Sequence, residues 1–109
     1  HKTALGAEFT VDWKYVNNVV EAVDNLRENG YTVLAVEQAE GSTMLQDLTL
    51  ERGRRYAVVL GNEVKGVQQE AIDHSDGCIE IPQYGTKHSL NVSVTAGIII
   101  WDLFKKLTF

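Results

Sequence analysis

Tyr31-Thr32-Val33-Leu34-Ala35-Val36 and Tyr56-Ala57-Val58-Val59-Leu60 are two short runs of β-branched, aromatic and aliphatic residues with little polar interruption. A strand with one wet face alternates apolar and polar residues. A strand that is apolar at successive positions is covered on both faces, as inside a parallel sheet. Cys78 to Ile81 is a shorter third run of the same kind. Working outward, Tyr15, Val16, Val19, Val20, Val23 and Leu26 recur at helical spacing before the first run, with Asp12 as N-cap and Gly30 as C-terminal stop. Between the first two runs the sequence predicts a loop with one helical turn, capped at Ser42 or Thr43. Between the second and third it predicts a helix of two turns over Val67 to His74. Ser89 to Lys106 reads as a long helix capped by Ser89. Alternating helices and strands specify an α/β fold, a parallel sheet with flanking helices, and residues 1–109 are read as a single domain.

With 44% hydrophobic and 23% charged residues, the chain has the composition of a globular domain rather than a disordered tail. A domain of this size buries roughly 65% of its unfolded surface, enough for one core. No uncharged apolar stretch reaches the ~18 residues of a membrane span, and no membrane partner is expected. The single cysteine, Cys78, has no intramolecular partner, which fits a reducing, cytoplasmic setting. Its place in a strand predicts a buried small side chain rather than a nucleophile. His1, His74 and His88 lack the paired spacing of a zinc site, so no metal is expected. The formal net charge of -5 argues against a self-sufficient nucleic-acid binder, because phosphate contacts carry much of such affinity.

The last helix raises a question of partners. Leu90, Val92, Val94, Ala96, Ile98, Ile99, Ile100, Trp101, Leu103 and Phe104 surround nearly its whole circumference. A helix apolar all round is covered on more than one side. A second subunit is the simplest cover, and a homodimer is expected.

Ligands of open parallel sheets bind beyond the carboxyl ends of the strands. Three turns occupy those ends: residues 37–42, 61–66 and 82–87. The second has no Gly-Lys-Ser/Thr ending, which excludes a phosphate-cradling P-loop, and no strand is followed by Gly-x-Gly-x-x-Gly. Leu60-Gly61-Asn62-Glu63 with Gly66 resembles the second signature of the SpoU (TrmH) family of RNA 2'-O-methyltransferases. Ile81-Pro82 followed by Ser89-Leu90-Asn91-Val92-Ser93-Val94 and Ala96-Gly97 resembles its third. Lys2-Thr3-Ala4-Leu5-Gly6-Ala7-Glu8 resembles a segment ahead of the family's fourth strand, so the likeness covers essentially the whole chain.

That resemblance implies a C-terminal trefoil knot, which no periodicity indicates. It implies S-adenosylmethionine as cofactor, bent within the knot and held mainly by backbone groups after the three strands: at Glu37 or its neighbour Val36, at Leu60 and Gly61, and at Ile81, Pro82 and Leu90, with Ile81 and Leu90 supplying apolar walls. The implied reaction moves a methyl group from that cofactor to a ribose 2'-hydroxyl of RNA, with tRNA favoured over rRNA. Glu63 is the carboxylate of the second signature, with an orienting or electrostatic role. Asn91 offers a donor and an acceptor toward the site's loops or the ribose, and Ser89 combines capping with a site role. Lys87 and His88 are candidate RNA-phosphate contacts, or simply exposed. The family's first signature, with its activating arginine, has no counterpart here; Arg27, Arg52, Arg54 and Arg55 lie in other contexts. Val64 stands where the family often has glycine. The chain is therefore expected to be the C-terminal, cofactor-binding part of a longer protein. The competing reading is a catalytically incomplete cofactor-binding or dimerisation module.

Overall fold

A computed structural model of the protein describes residues 15–61, 66–81 and 92–109. Helix α1 (Val19–Glu28) is followed by strand β1 (Tyr31–Val36), a two-residue strand β2 (Thr43–Met44) and a 3-10 turn (Leu45–Asp47). Strand β3 (Arg55–Leu60), helix α2 (Gln69–His74), strand β4 (Gly77–Glu80) and helix α3 (Val92–Thr108) complete the order. The sheet is parallel throughout, with strand order β2-β4-β1-β3. The α/β class and the flanking helices are as the sequence specified.

β1 is the central strand, and its side chains supply both faces. Leu34 joins Leu45, Ile79, Ile99 and Leu103 in the buried cluster beneath α3, with Tyr56 and Val58 packed against it. The next residue, Ala35, points the other way and joins Val67 and Ala71, with Val19, Val20 and Ile72 of α1 and α2 at the edge. The uninterrupted apolar run of β1 follows from this double coverage: Val33, Leu34 and Ala35 are all buried.

Several local expectations need correction. α1 starts at Val19, where Asn18 is the N-cap and its Oδ1 accepts the Glu21 N–H at 3.0 Å. Tyr15 and Val16 precede it and are exposed, so their helical spacing was coincidental; Asp12 lies outside the described residues. Gly30 does end α1, with φ of +88° that a side chain disfavours. The segment between β1 and β3 contains a strand that was not predicted, because two exposed residues leave no pattern. Its 3-10 turn is preceded by Met44 with no side-chain cap. Ser42 instead donates to Glu80 Oε1 at 2.7 Å, tying this segment to the end of β4.

Polar contacts fasten the layers. Asp76, just ahead of β4, accepts the Val33 N–H at 2.7 Å and pairs with Arg27 of α1 at 3.0 Å. Arg27 also donates to the His74 carbonyl. The Asp24 carboxylate, hydrogen-bonded to His74 Nδ1 at 2.9 Å, holds that imidazole above the usual histidine range and joins α1 to α2. On the other face, Lys106 pairs with Asp102 at 2.7 Å and donates to the Leu45 carbonyl at 2.6 Å, pinning α3 over the 3-10 turn. Among the described residues, no helix is long and apolar enough to cross a membrane.

Candidate functional site

Register places the strand ends side by side. Val36 is the partner of Leu60 in β3 and of Ile79 in β4, so the chain leaves all three strands at nearly one level. The residues that follow are Glu37, Gly61 and, after Glu80, Ile81. Val36, Leu60 and Ile81 are half-buried and pack against the cluster under α3. The rim of the parallel sheet thus presents aliphatic side chains beside the turns that leave the strands. An apolar wall at the carboxyl ends of parallel strands suits the flat face of a heterocycle.

Gly61 is a glycine for reasons of space. A Cβ there would lie 2.0 Å from the Gly66 carbonyl carbon, 2.3 Å from its oxygen and 2.4 Å from Val67 N. The turn that leaves β3 therefore returns to touch its own start. Gly66 is a glycine for a different reason, its φ of +66°. Val67 N–H, at the close of this turn, donates to Glu37 Oε1 at 2.8 Å.

The Cys78 thiol donates to the Glu37 carbonyl at 3.3 Å, and burial pushes its pKa up. Cys78 is thus a half-buried, hydrogen-bonded thiol, in keeping with a packing role.

Of the residues singled out from the sequence, the structure brings Val36, Glu37, Leu60, Gly61 and Ile81 together at one rim. Glu63, Pro82, Lys87, His88, Ser89, Leu90 and Asn91 lie outside the described residues. So do residues 82–91 as a whole, where the expected knot would be formed. Sequence reasoning missed two carboxylate clamps on this rim, Glu37 to Val67 and Glu80 to Ser42. Partners 30 and 38 residues apart leave no local signal.

A family model described as SpoU rRNA Methylase matches residues 1–101. The chain belongs to the SpoU rRNA methylase family. The likeness read from Leu60–Glu63 and Ile81–Val94 is thereby borne out, and members of this methylase family use a methyl donor. Among solved structures, this chain is similar to the A. aeolicus TrmH/SpoU tRNA modifying enzyme, at 31% identity and a TM-score of 0.71. That match covers 84% of this chain and 45% of the other. An rRNA methyltransferase from Sinorhizobium meliloti shares the fold, with TM-score 0.69, 24% identity, and 82% and 33% of the two chains covered. In sequence, the tRNA (guanosine(18)-2'-O)-methyltransferase of Borreliella burgdorferi is 29% identical over 103 residues, 94% of this chain and 46% of that protein. The chain spans less than half the length of these relatives.

Proposed function

We propose that the protein carrying this chain is an RNA 2'-O-methyltransferase, and that the chain is its S-adenosylmethionine-binding part. The alignment of Val36, Leu60 and the Gly61 turn at one rim carries this reading, together with the aliphatic surface of Ile81. When bound, S-adenosylmethionine supplies an electrophilic methyl group to the ribose 2'-oxygen. The protein's task is then chiefly alignment, from which most of the rate gain of a displacement can come. The strand ends at Val36, Glu37, Leu60, Gly61, Ile81 and Pro82, with Leu90, hold the adenine side, mainly through backbone groups, and Ile81 and Leu90 supply apolar walls. Glu63, Asn91 and Ser89 orient the ribose and the loops, and Lys87 with His88 meets RNA phosphate. In this reading the chain after β4 threads a trefoil knot before α3, and the protein works in the cytoplasm. A tRNA substrate is favoured over rRNA; similarity to a tRNA methyltransferase and a tRNA modifying enzyme supports it.

The test uses full-length protein, labelled S-adenosylmethionine, and unmodified tRNA and rRNA transcripts. Label is expected at a ribose 2'-oxygen of tRNA. Cofactor binding without transfer to either RNA would favour the module reading, to which the net charge of -5 lends weight.

Homodimerisation through α3 belongs to the same proposal. Val94, Ile98 and Trp101 lie at i, i+4 and i+7 on that helix and are 51%, 39% and 55% exposed. The buried face of the same helix carries Ala96, Ile99 and Leu103. One side packs on the sheet, and the other offers a second apolar stripe that self-association covers. Sedimentation at micromolar concentration is expected to show a dimer, and Trp101→Asp a monomer. A wild-type monomer at that concentration would count decisively against the second interface.

A further inference from the structure

Glu37 starts the turn after β1, and every polar group it carries fastens neighbouring chain. Its N–H donates to the Ile79 carbonyl at 3.1 Å, and its carbonyl accepts the Cys78 thiol. Carboxylate Oε1 accepts the Val67 N–H at 2.8 Å, and Oε2 accepts the Gln38 N–H at 3.3 Å. The strand-end backbone of Glu37 is therefore set by β4, while its side chain reaches across to the turn that leaves β3.

That contact is made possible by two glycines. A Cβ on Gly66 would stand 2.4 Å from Glu37 Oε1, in the space the carboxylate needs to reach Val67 N–H. The Gly66–Val67 backbone in turn lies against Gly61, where a Cβ would overlap it. Carboxylate, amide and the two glycines form one continuous lock, and Val67 itself is buried against Ala35 and Ala71. A hydrogen bond with an ionised acceptor is roughly twice as strong as a neutral one. It is the kind of contact that can hold a glycine-containing turn in one conformation.

We propose that Glu37 is a positioning residue: its carboxylate, acting through the Val67 amide, holds the Gly66–Val67 backbone against Gly61. The step from turn to ligand rests on the cofactor site proposed above; the lock itself does not. This role differs from direct cofactor contact by the side chain, whose oxygens already accept backbone donors.

The test compares Glu37→Gln, Glu37→Asp and Glu37→Ala in the full-length protein. Its two readouts are hydrogen exchange at the Val67 amide and S-adenosylmethionine affinity by calorimetry. Glutamine keeps an oxygen at the same reach, so Val67 protection and most of the affinity should return. Aspartate withdraws the oxygen by one methylene and alanine removes it. For both, Val67 exchange should accelerate by about tenfold or more, with a weakening of affinity of about tenfold. If alanine prevents folding, the contrast between aspartate and glutamine decides. Unchanged Val67 protection in the aspartate and alanine variants overturns the proposal. So does a glutamine variant that keeps protection but binds as poorly as alanine, since the carboxylate would then be meeting ligand. Val67 exchange that depends on Glu37 in a protein with no affinity for S-adenosylmethionine supports the lock and refutes the cofactor reading instead.

Discussion

Gly61→Ala is expected to weaken S-adenosylmethionine binding by more than a hundredfold and to lower stability by about 2–3 kcal/mol. The added methyl group would meet carbonyl carbon and oxygen of Gly66 at 2.0 and 2.3 Å and the Val67 nitrogen at 2.4 Å. These are main-chain atoms, and no rotamer change can clear them. The returning arm of the turn must move by more than an ångström, and it carries the Val67 amide away from Glu37. The substitution therefore opens the turn and displaces the backbone proposed to receive the cofactor in one event. Calorimetric titration and thermal melting measure the two effects separately. A variant that melts and binds like wild type would mean that the turn does not close on Gly61. Gly66→Ala provides a contrast, because strain at φ +66° is its first difficulty and the nearest obstacle is the flexible end of Glu37.

Ile99→Ala is expected to cost about 2–5 kcal/mol, the range for cutting a large aliphatic core side chain back to alanine. Ile99 is 1% exposed and packs with Leu34, Ile79, Leu45 and Leu103, linking α3 to the central strands and to the 3-10 turn. Val36, Leu60 and Ile81 lean on the same cluster, so a void there loosens the wall of the proposed site as well. Urea denaturation should show a lower midpoint with an unchanged slope, the mark of lost stability rather than an altered unfolded state. Its neighbour Ile98, 39% exposed on the opposite side, supplies the control. Ile98→Ala should act on dimerisation and leave the folding of each subunit nearly intact. Equal losses from both substitutions would show that the two faces of α3 are not distinct.

Particular residues show where the sequence was legible. The run from Tyr31 to Val36 was read with its bounds intact, because coverage on both faces leaves an unbroken apolar stretch. α2 was placed near Val67 to His74 and found at Gln69–His74. α1 starts later than its period suggests, since Tyr15 and Val16 keep the helical spacing without helical structure and the cap is Asn18. β2 leaves no pattern in the sequence, because it is two residues long and both are exposed. Of the candidate site, the strand-end rule points to the three turns, and likeness to a known family singles out Val36, Leu60, Gly61 and Ile81 within and beside them. Nothing in their own chemistry distinguishes them from other small and aliphatic residues.

The sequence by itself determined the fold class, the order of the main elements and the family, because hydrophobic period and signature turns are local properties of the chain. The tertiary structure alone decided that β1 is flanked by β3 and β4. It alone decided that Glu37 reaches Val67, and that Gly61 is pressed by the backbone of its own turn. These are contacts between segments distant along the chain or closing on themselves. Packing and hydrogen-bond geometry select them, and residue type at any single position does not.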